Sequence, residues 1–102
     1  MRKILITGSS GFVGEELLIK LSSNIDNKII GIDNFEPSNE IKKKNIKNFF
    51  FKKTELRNNK DKLEQIFKEH QPDTIIHCAS RILDTMKKKM FGTRIIMHQR
   101  TY

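Results

Sequence analysis

The chain has 102 residues, a hydrophobic content of 36% and a formal net charge of +8. This length limits it to one domain, and no apolar run approaches the roughly 18 residues that a membrane-spanning helix needs. The first apolar run is too short for a secretory signal. Cys78 is the only cysteine, so an internal disulfide cannot form. We therefore expect a soluble protein of the reducing cytoplasm.

The first third of the chain has the pattern of strand, turn, helix and strand. Residues 3–7 (KILIT) are a short, branched apolar run that ends at a glycine, which is typical of a buried strand. From Phe12 the apolar residues fall at helical spacing. These residues are Val13, Leu17, Leu18 and Leu21. Glu15 and Glu16 lie in the first turn, where carboxylates favour the helix dipole. Residues 28–33 (KIIGID) predict a second strand.

The middle of the chain continues the alternation. Residues 37–45 are polar and indicate a loop with a short helical turn, and three phenylalanines at 49–51 predict a third strand. Within residues 60–70, the i, i+3, i+4, i+7 spacing is followed by Leu63, Ile66, Phe67 and His70, which predicts a helix that ends before Pro72. Residues 73–79 (DTIIHCA) predict a fourth strand.

Strands that alternate with helices indicate an α/β fold with right-handed crossovers and a parallel sheet. We expect half of a doubly wound, Rossmann-type sheet, with about four strands in the order 3-2-1-4 and flanking helices. Residues 1–80 form this Rossmann portion, and residues 81–102 are predicted to be a divergent, helical tail of the same domain.

The turn between the first strand and the first helix carries three glycines at a spacing of three: Gly8, Gly11 and Gly14. The first permits a tight turn. The second lets the main chain approach a pyrophosphate without an intervening side chain, and the third permits close packing of the helix on the sheet. Amide hydrogens at the start of the helix favour an anion. The segment therefore predicts a phosphate-binding turn.

Asp33 ends the second predicted strand. An acidic side chain at this place can accept hydrogen bonds from the hydroxyls of an adenosine ribose. The same carboxylate would repel a 2′-phosphate, so the sequence favours NAD over NADP.

Three segments carry a wider pattern: ILITGSSGFVGEELLIKL, GIDNF and TELRNNKDKLEQIFKEHQPDTIIHCAS. Together they cover residues 3–80 and resemble the nucleotide-sugar epimerases and dehydratases of the extended short-chain dehydrogenase/reductase family. The resemblance implies NAD as the cofactor, and a nucleotide sugar as the substrate only if the C-terminal, sugar-binding half of the family is supplied. The residues that it implies as NAD contacts are Gly8, Ser10, Gly11, Phe12, Val13 and Gly14 for the pyrophosphate, Asp33 and Asn34 for the adenosine ribose, Glu55 and Leu56 for the adenine, and Ala79 and Ser80 near the second ribose. It also implies that His77 and Cys78 are strand residues without a chemical role.

The catalytic pair of that family is not found in the sequence. Its members use a tyrosine as acid and base, with a lysine four residues further on that lowers the tyrosine pKa. The only tyrosine here is Tyr102, the last of the 102 residues. We therefore assign no catalytic residue and expect the 102 residues to be inactive alone, as the truncated N-terminal portion of such an enzyme. The three histidines, His70, His77 and His98, lack metal-ligand spacing, so no metal site is predicted.

Two alternatives remain open. One is a binding module that holds NAD or another adenine dinucleotide without turnover. The other is a small basic nucleic-acid-binding protein in which the glycine turn is incidental. The second alternative predicts steeply salt-dependent binding that Asp33→Ala leaves unchanged.

Overall fold

A computed structural model of the protein describes residues 2–55, 60–78 and 94–97. The elements are β1 (Arg2–Thr7), α1 (Phe12–Ser22), β2 (Asn27–Asp33), α2 (Asn39–Lys44), β3 (Phe49–Lys53), α3 (Lys60–His70), β4 (Thr74–His77) and β5 (Arg94–Met97).

The strands form one sheet in the order β3-β2-β1-β4-β5. Every adjacent pair is parallel, and Leu5 at the centre is in register with Ile30 on one side and Ile75 on the other. The predicted α/β class and the order 3-2-1-4 are therefore confirmed. The order follows from the connections. The chain passes from β1 through α1 to β2 and then through α2 to β3, and each step adds a strand on the same side of β1. It then returns through α3 to place β4 on the other side of β1.

The predicted helical tail is wrong at residues 94–97, which form β5 beside β4. The β-branched pair Ile95 and Ile96 favours a strand, and it lies in register with Ile75 and Ile76. Pairing with a buried strand thus decides the local conformation. The rest of the predicted tail lies outside the described residues, and the division of the chain at residue 80 stays a prediction.

Alternate residues of the sheet face opposite sides, and each side buries its own apolar cluster. On one side, α3 contributes Leu63 and Ile66, each at most 3% exposed. The sheet residues of this cluster are Leu5, Ile30, Ile32 and Ile75. On the other side, α1 and α2 contribute Leu18 and Ile41. The sheet residues of that cluster are Ile4, Ile6, Ile29 and Ile76. Helices on both faces explain why the central strands bury apolar side chains on both sides of the sheet.

The helix ends match the local sequence. As predicted, α3 ends before Pro72, and Gln71 adopts a left-handed φ of 47° while its amide donates to the Phe67 carbonyl oxygen at 2.8 Å. The polar segment after β2 contains the short helix α2, with Ser38 as its N-cap. Among the described residues, no helix combines the length and the apolar character that crossing a bilayer requires.

Candidate functional site

The glycine turn joins β1 to α1 at the edge of the sheet where the strands end. Gly8 has a φ of 73°, a left-handed conformation that side chains rarely adopt. Its amide donates to the Ile32 carbonyl oxygen at 2.8 Å, and the Gly11 amide donates to the Gly8 carbonyl oxygen at 3.1 Å. Gly8 therefore forms the tight turn expected from the sequence, and the turn is hydrogen-bonded to β2.

The other two glycines meet different surroundings. A Cβ at Gly14 would overlap the Gly8 carbonyl oxygen and lie 2.8 Å from Ser9 Cα, so the close packing of α1 on the turn requires glycine there. A Cβ at Gly11 would lie 3.4 Å from the Gly8 oxygen, an ordinary contact. Gly11 is also exposed and has a φ of −79°, which any residue can adopt. The fold does not require glycine at position 11, so a requirement must come from what approaches the turn from outside.

The start of α1 offers unpaired amides. Gly11 is the N-cap, and no side chain caps the helix. The Glu15 amide makes the first i to i−4 bond, to the Gly11 carbonyl oxygen at 2.9 Å. Helix geometry leaves the amides of Phe12, Val13 and Gly14 without acceptors inside the helix. These N–H groups and the helix dipole favour an anion in front of the turn.

The Asp33 carboxylate is held beside this turn by two backbone amides. The Ser10 amide donates to Asp33 Oδ2 at 2.9 Å, and the Phe35 amide donates to Oδ1 at 3.0 Å. Each carboxylate oxygen has two lone pairs, so each keeps one acceptor position for a further donor. The structure thus brings the predicted acidic residue and the predicted phosphate turn into direct contact.

The other predicted contact residues lie at the same edge or outside the described residues. Asn34 and Glu55 are both exposed, and they lie just beyond the ends of β2 and β3. The Thr54 amide donates to the Asp33 carbonyl oxygen at 2.9 Å, which places Glu55 next to the end of β2. The predicted contacts Leu56, Ala79 and Ser80 lie outside the described residues.

Two contacts of this region were not found from the sequence. Glu15 Oε2 accepts a hydrogen bond from the Ser38 amide at 2.8 Å, and the Ser10 hydroxyl donates to the Phe35 carbonyl oxygen at 2.6 Å. In each case the partners are more than 20 positions apart and belong to no recognisable motif. The sequence connected Glu15 only with the helix dipole.

His77 lies in β4, as expected, whereas Cys78 follows the end of that strand and is half-buried. His77 is 3% exposed, and its Nδ1 lies 2.7 Å from the hydroxyl oxygen of Thr7, which is fully buried. Cys78 packs against the cluster that α1 and α2 cover. Within the described ranges, no group of three or more His, Cys, Asp or Glu side chains is placed to hold a metal ion.

The sheet order, the glycine turn at the start of α1 and the acidic residue at the end of β2 define a Rossmann-type nucleotide-binding domain. The family model for the NAD dependent epimerase/dehydratase family matches residues 4–97, and the chain belongs to this family.

Individual relatives agree with this assignment. The UDP-glucose 4-epimerase of Pisum sativum is 39% identical in an alignment of 87 residues. This alignment covers 76% of this chain and 24% of that protein. The crystal structure of dTDP-glucose 4,6-dehydratase from Bacillus anthracis in complex with NAD is 30% identical, with a TM-score of 0.68 over 79% of this chain and 27% of that one. A short chain dehydrogenase family protein from Francisella tularensis shares the fold, with a TM-score of 0.73 and 18% identity over 95% of this chain and 50% of that one. The chain spans about a quarter of the length of the curated relatives that it matches.

Proposed function

We propose that this chain binds NAD through the glycine turn and Asp33, as the N-terminal part of the cofactor domain of a nucleotide-sugar epimerase or dehydratase. The hydrogen bond of 2.9 Å from the Ser10 amide to Asp33 Oδ2 carries this proposal. It joins the carboxylate that suits a ribose directly to the turn that suits a diphosphate.

The residues present fit the diphosphate of such a cofactor. The amides of Phe12 and Val13 have no acceptor inside the helix, and no side chain occupies the cap position of α1. The absence of a side chain at Gly11 leaves the main chain accessible, although the fold itself tolerates a Cβ there. We propose that Gly8, Ser10 and Gly14 shape this turn around the diphosphate.

The adenosine side depends on Asp33. A carboxylate accepts hydrogen bonds and donates none, so it suits the ribose hydroxyls of NAD and opposes the 2′-phosphate of NADP. Asn34 would assist at the ribose. Glu55 and Leu56 would lie at the adenine, and Ala79 and Ser80 would lie near the second ribose.

The chemistry comes from the cofactor, which supplies a hydride acceptor when it is bound. The chain's own residues bind and orient it. We assign no residue to proton transfer, because Tyr102 is the only tyrosine of the 102 residues. We propose that these residues alone hold the cofactor without converting a nucleotide sugar. A lone cysteine suits a reducing compartment, and we propose that the protein is cytoplasmic.

The test is calorimetric titration of the chain with NAD and with NADP, using the wild type, Asp33→Asn and Asp26→Asn. Asp26 is exposed and lies in the loop before β2, so its variant makes the same change in charge away from the site. We expect wild type to bind NAD more tightly than NADP, Asp33→Asn to weaken NAD binding about tenfold, and Asp26→Asn to behave as wild type. Circular dichroism confirms that each variant is folded.

Three results would contradict the proposal. Equal NAD affinities of wild type and Asp33→Asn would remove the role of the carboxylate. DNA binding with a steep salt dependence, in a chain that does not bind NAD, would favour the nucleic-acid alternative. Conversion of UDP-glucose by the 102 residues alone would contradict the proposed lack of turnover.

A further inference from the structure

We infer that Glu15 is a positioning residue whose carboxylate holds the connecting segment (residues 34–38) against α1 and so shapes the adenosine side of the NAD site. This inference rests on the proposed function, because it concerns the same site. It assigns to Glu15 a role that neither the glycine pattern nor the position of Asp33 requires.

The contact itself is well defined. Glu15 Oε2 accepts a hydrogen bond from the Ser38 amide at 2.8 Å. A bond to an ionised carboxylate is stronger than one between neutral groups. Ser38 also begins α2, since its carbonyl oxygen accepts from the Lys42 amide at 3.0 Å and its hydroxyl oxygen accepts from the Ile41 amide at 3.4 Å. One carboxylate on α1 thus fixes the point where the connecting segment passes into α2.

The two ends of the connecting segment are held separately. Its beginning is held through Asp33, which accepts the Phe35 amide, and through the Ser10 hydroxyl, which donates to the Phe35 carbonyl oxygen. Its end is held by Glu15. Within the described ranges, no other hydrogen bond joins residues 36–38 to α1. Removal of the Glu15 carboxylate therefore leaves residues 36–38 without a hydrogen bond to α1 in the described part of the chain.

The position of the segment determines the shape of the space beside it. Glu36 and Pro37 line a cavity of about 270 Å³, whose lining also includes Phe49 and Phe51 of β3. Glu36 and Pro37 follow shortly after Asp33, whose carboxylate is the proposed ribose contact. A shift of the segment would change the lining of this cavity, and it would act on Asp33 and Ser10 through their hydrogen bonds with Phe35.

The charge of Glu15 allows the loss of its contact with Ser38 to be distinguished from a general loss of structure, because the two changes affect NAD and diphosphate binding differently. Glu15 lies in the first turn of α1, where a carboxylate opposes an approaching diphosphate. Its hydrogen bond with Ser38 directs this charge to a backbone amide. Loss of the carboxylate should therefore weaken the binding of ligands that carry adenosine. It should leave the binding of inorganic pyrophosphate unchanged or strengthen it.

The experiment measures the affinities of NAD and of inorganic pyrophosphate for wild type, Glu15→Ala, Glu15→Gln and Glu16→Ala. Glu16 is the exposed neighbour and serves as the matched control. We expect Glu15→Ala to bind NAD about fivefold to tenfold more weakly and pyrophosphate no more weakly than wild type. Glu15→Gln retains an oxygen that accepts from Ser38, so it should restore most of the NAD affinity. Glu16→Ala should match wild type for NAD.

Any of three results would overturn the inference: wild-type NAD affinity in Glu15→Ala, an equal loss of NAD and pyrophosphate affinity in that variant, or no rescue by Glu15→Gln. A wild-type chain that does not bind NAD would instead refute the proposed function. In that event, amide hydrogen exchange still tests the contact. Exchange at Ser38 should be faster in Glu15→Ala than in wild type, and equal rates would contradict the holding role of Glu15.

Discussion

Substitution by alanine should affect different properties at two glycines of the turn: the stability of the fold at Gly14 and the binding of NAD at Gly11. At Gly14 the added Cβ would overlap the Gly8 carbonyl oxygen and crowd Ser9 Cα at 2.8 Å. Both are backbone atoms, so α1 or the turn must move. At Gly11 the added Cβ meets the Gly8 oxygen at 3.4 Å and otherwise faces open space. Gly14→Ala thus tests the packing of the fold, and Gly11→Ala tests the surface that a ligand approaches.

The magnitudes follow from opposing contributions. Alanine in a helix interior is favoured over glycine by about 1 kcal/mol, whereas overpacking against rigid atoms costs about 1–3 kcal/mol or more. Because the Cβ of Gly14→Ala overlaps main-chain atoms, we expect the upper part of this range and a net loss of about 2 kcal/mol. At Gly11, alanine is a poorer N-cap by several tenths of a kcal/mol, and the lower entropy of its unfolded chain offsets this by about 0.4–1 kcal/mol. The unfolding free energy of Gly11→Ala should therefore lie within about 0.5 kcal/mol of the wild-type value.

The assay combines urea denaturation, followed by circular dichroism, with NAD titration of the folded variants. Gly14→Ala should lower the urea midpoint clearly. Gly11→Ala should keep the wild-type midpoint but bind NAD at least about tenfold more weakly, since its methyl group stands where the diphosphate would approach. Unchanged stability of Gly14→Ala would refute the packing argument. Unchanged NAD affinity of Gly11→Ala would refute the role of the turn as the binding surface.

Two further predictions concern buried polar groups. Thr7→Val removes the hydroxyl that lies 2.7 Å from His77 Nδ1 and should lower the unfolding free energy by about 1–3 kcal/mol. Thr54→Val, which removes a buried hydroxyl that has no hydrogen-bond partner in the described part of the chain, should be neutral or stabilising in the same urea experiment; equal losses in both variants would contradict this reasoning. Burial, reinforced by the positive charge of Lys28, lowers the pKa of His70 from 6.5. Protonation is then less favourable in the folded chain than in the unfolded chain, so this contribution to stability is fully present above pH 6.5 and is lost as the pH falls below it. In His70→Phe, the urea midpoint should decrease less as the pH falls below 6.5. An unaltered dependence of the midpoint on pH would show that His70 does not cause the decrease.

The sequence was sufficient for the central part of the fold because the deciding patterns are local. The apolar runs at residues 3–7 and 28–33, separated by a glycine turn and an amphipathic helix, allow few arrangements other than a parallel pair with a crossover. The strand at 94–97 was missed because four residues contain no usable periodicity. Its conformation depends on pairing with β4, and the sequence of the tail does not specify that partner.

The candidate site divides in the same way. The tight turn at Gly8, the close packing at Gly14 and the position of Asp33 at the end of β2 could be predicted, because each depends on position relative to a strand or a helix end. The NAD contacts of these residues stay predictions. The bond from Ser38 to Glu15 was missed, because it depends on how the connecting segment folds back onto α1 and a carboxylate in the first turn of a helix already has a local explanation. The structure also separates Gly11 from Gly14, two residues that the glycine spacing treats alike.

Nuclear magnetic resonance titration with NAD addresses the central claim most directly, since it reports on each amide in a sample known to be folded. The account predicts that the amide signals of Gly8, Gly11, Val13 and Asp33 move together and saturate at one NAD concentration, while those of the exposed loop at residues 23–26 stay in place. A folded sample in which NAD leaves the signals of the turn and of Asp33 where they were would contradict it.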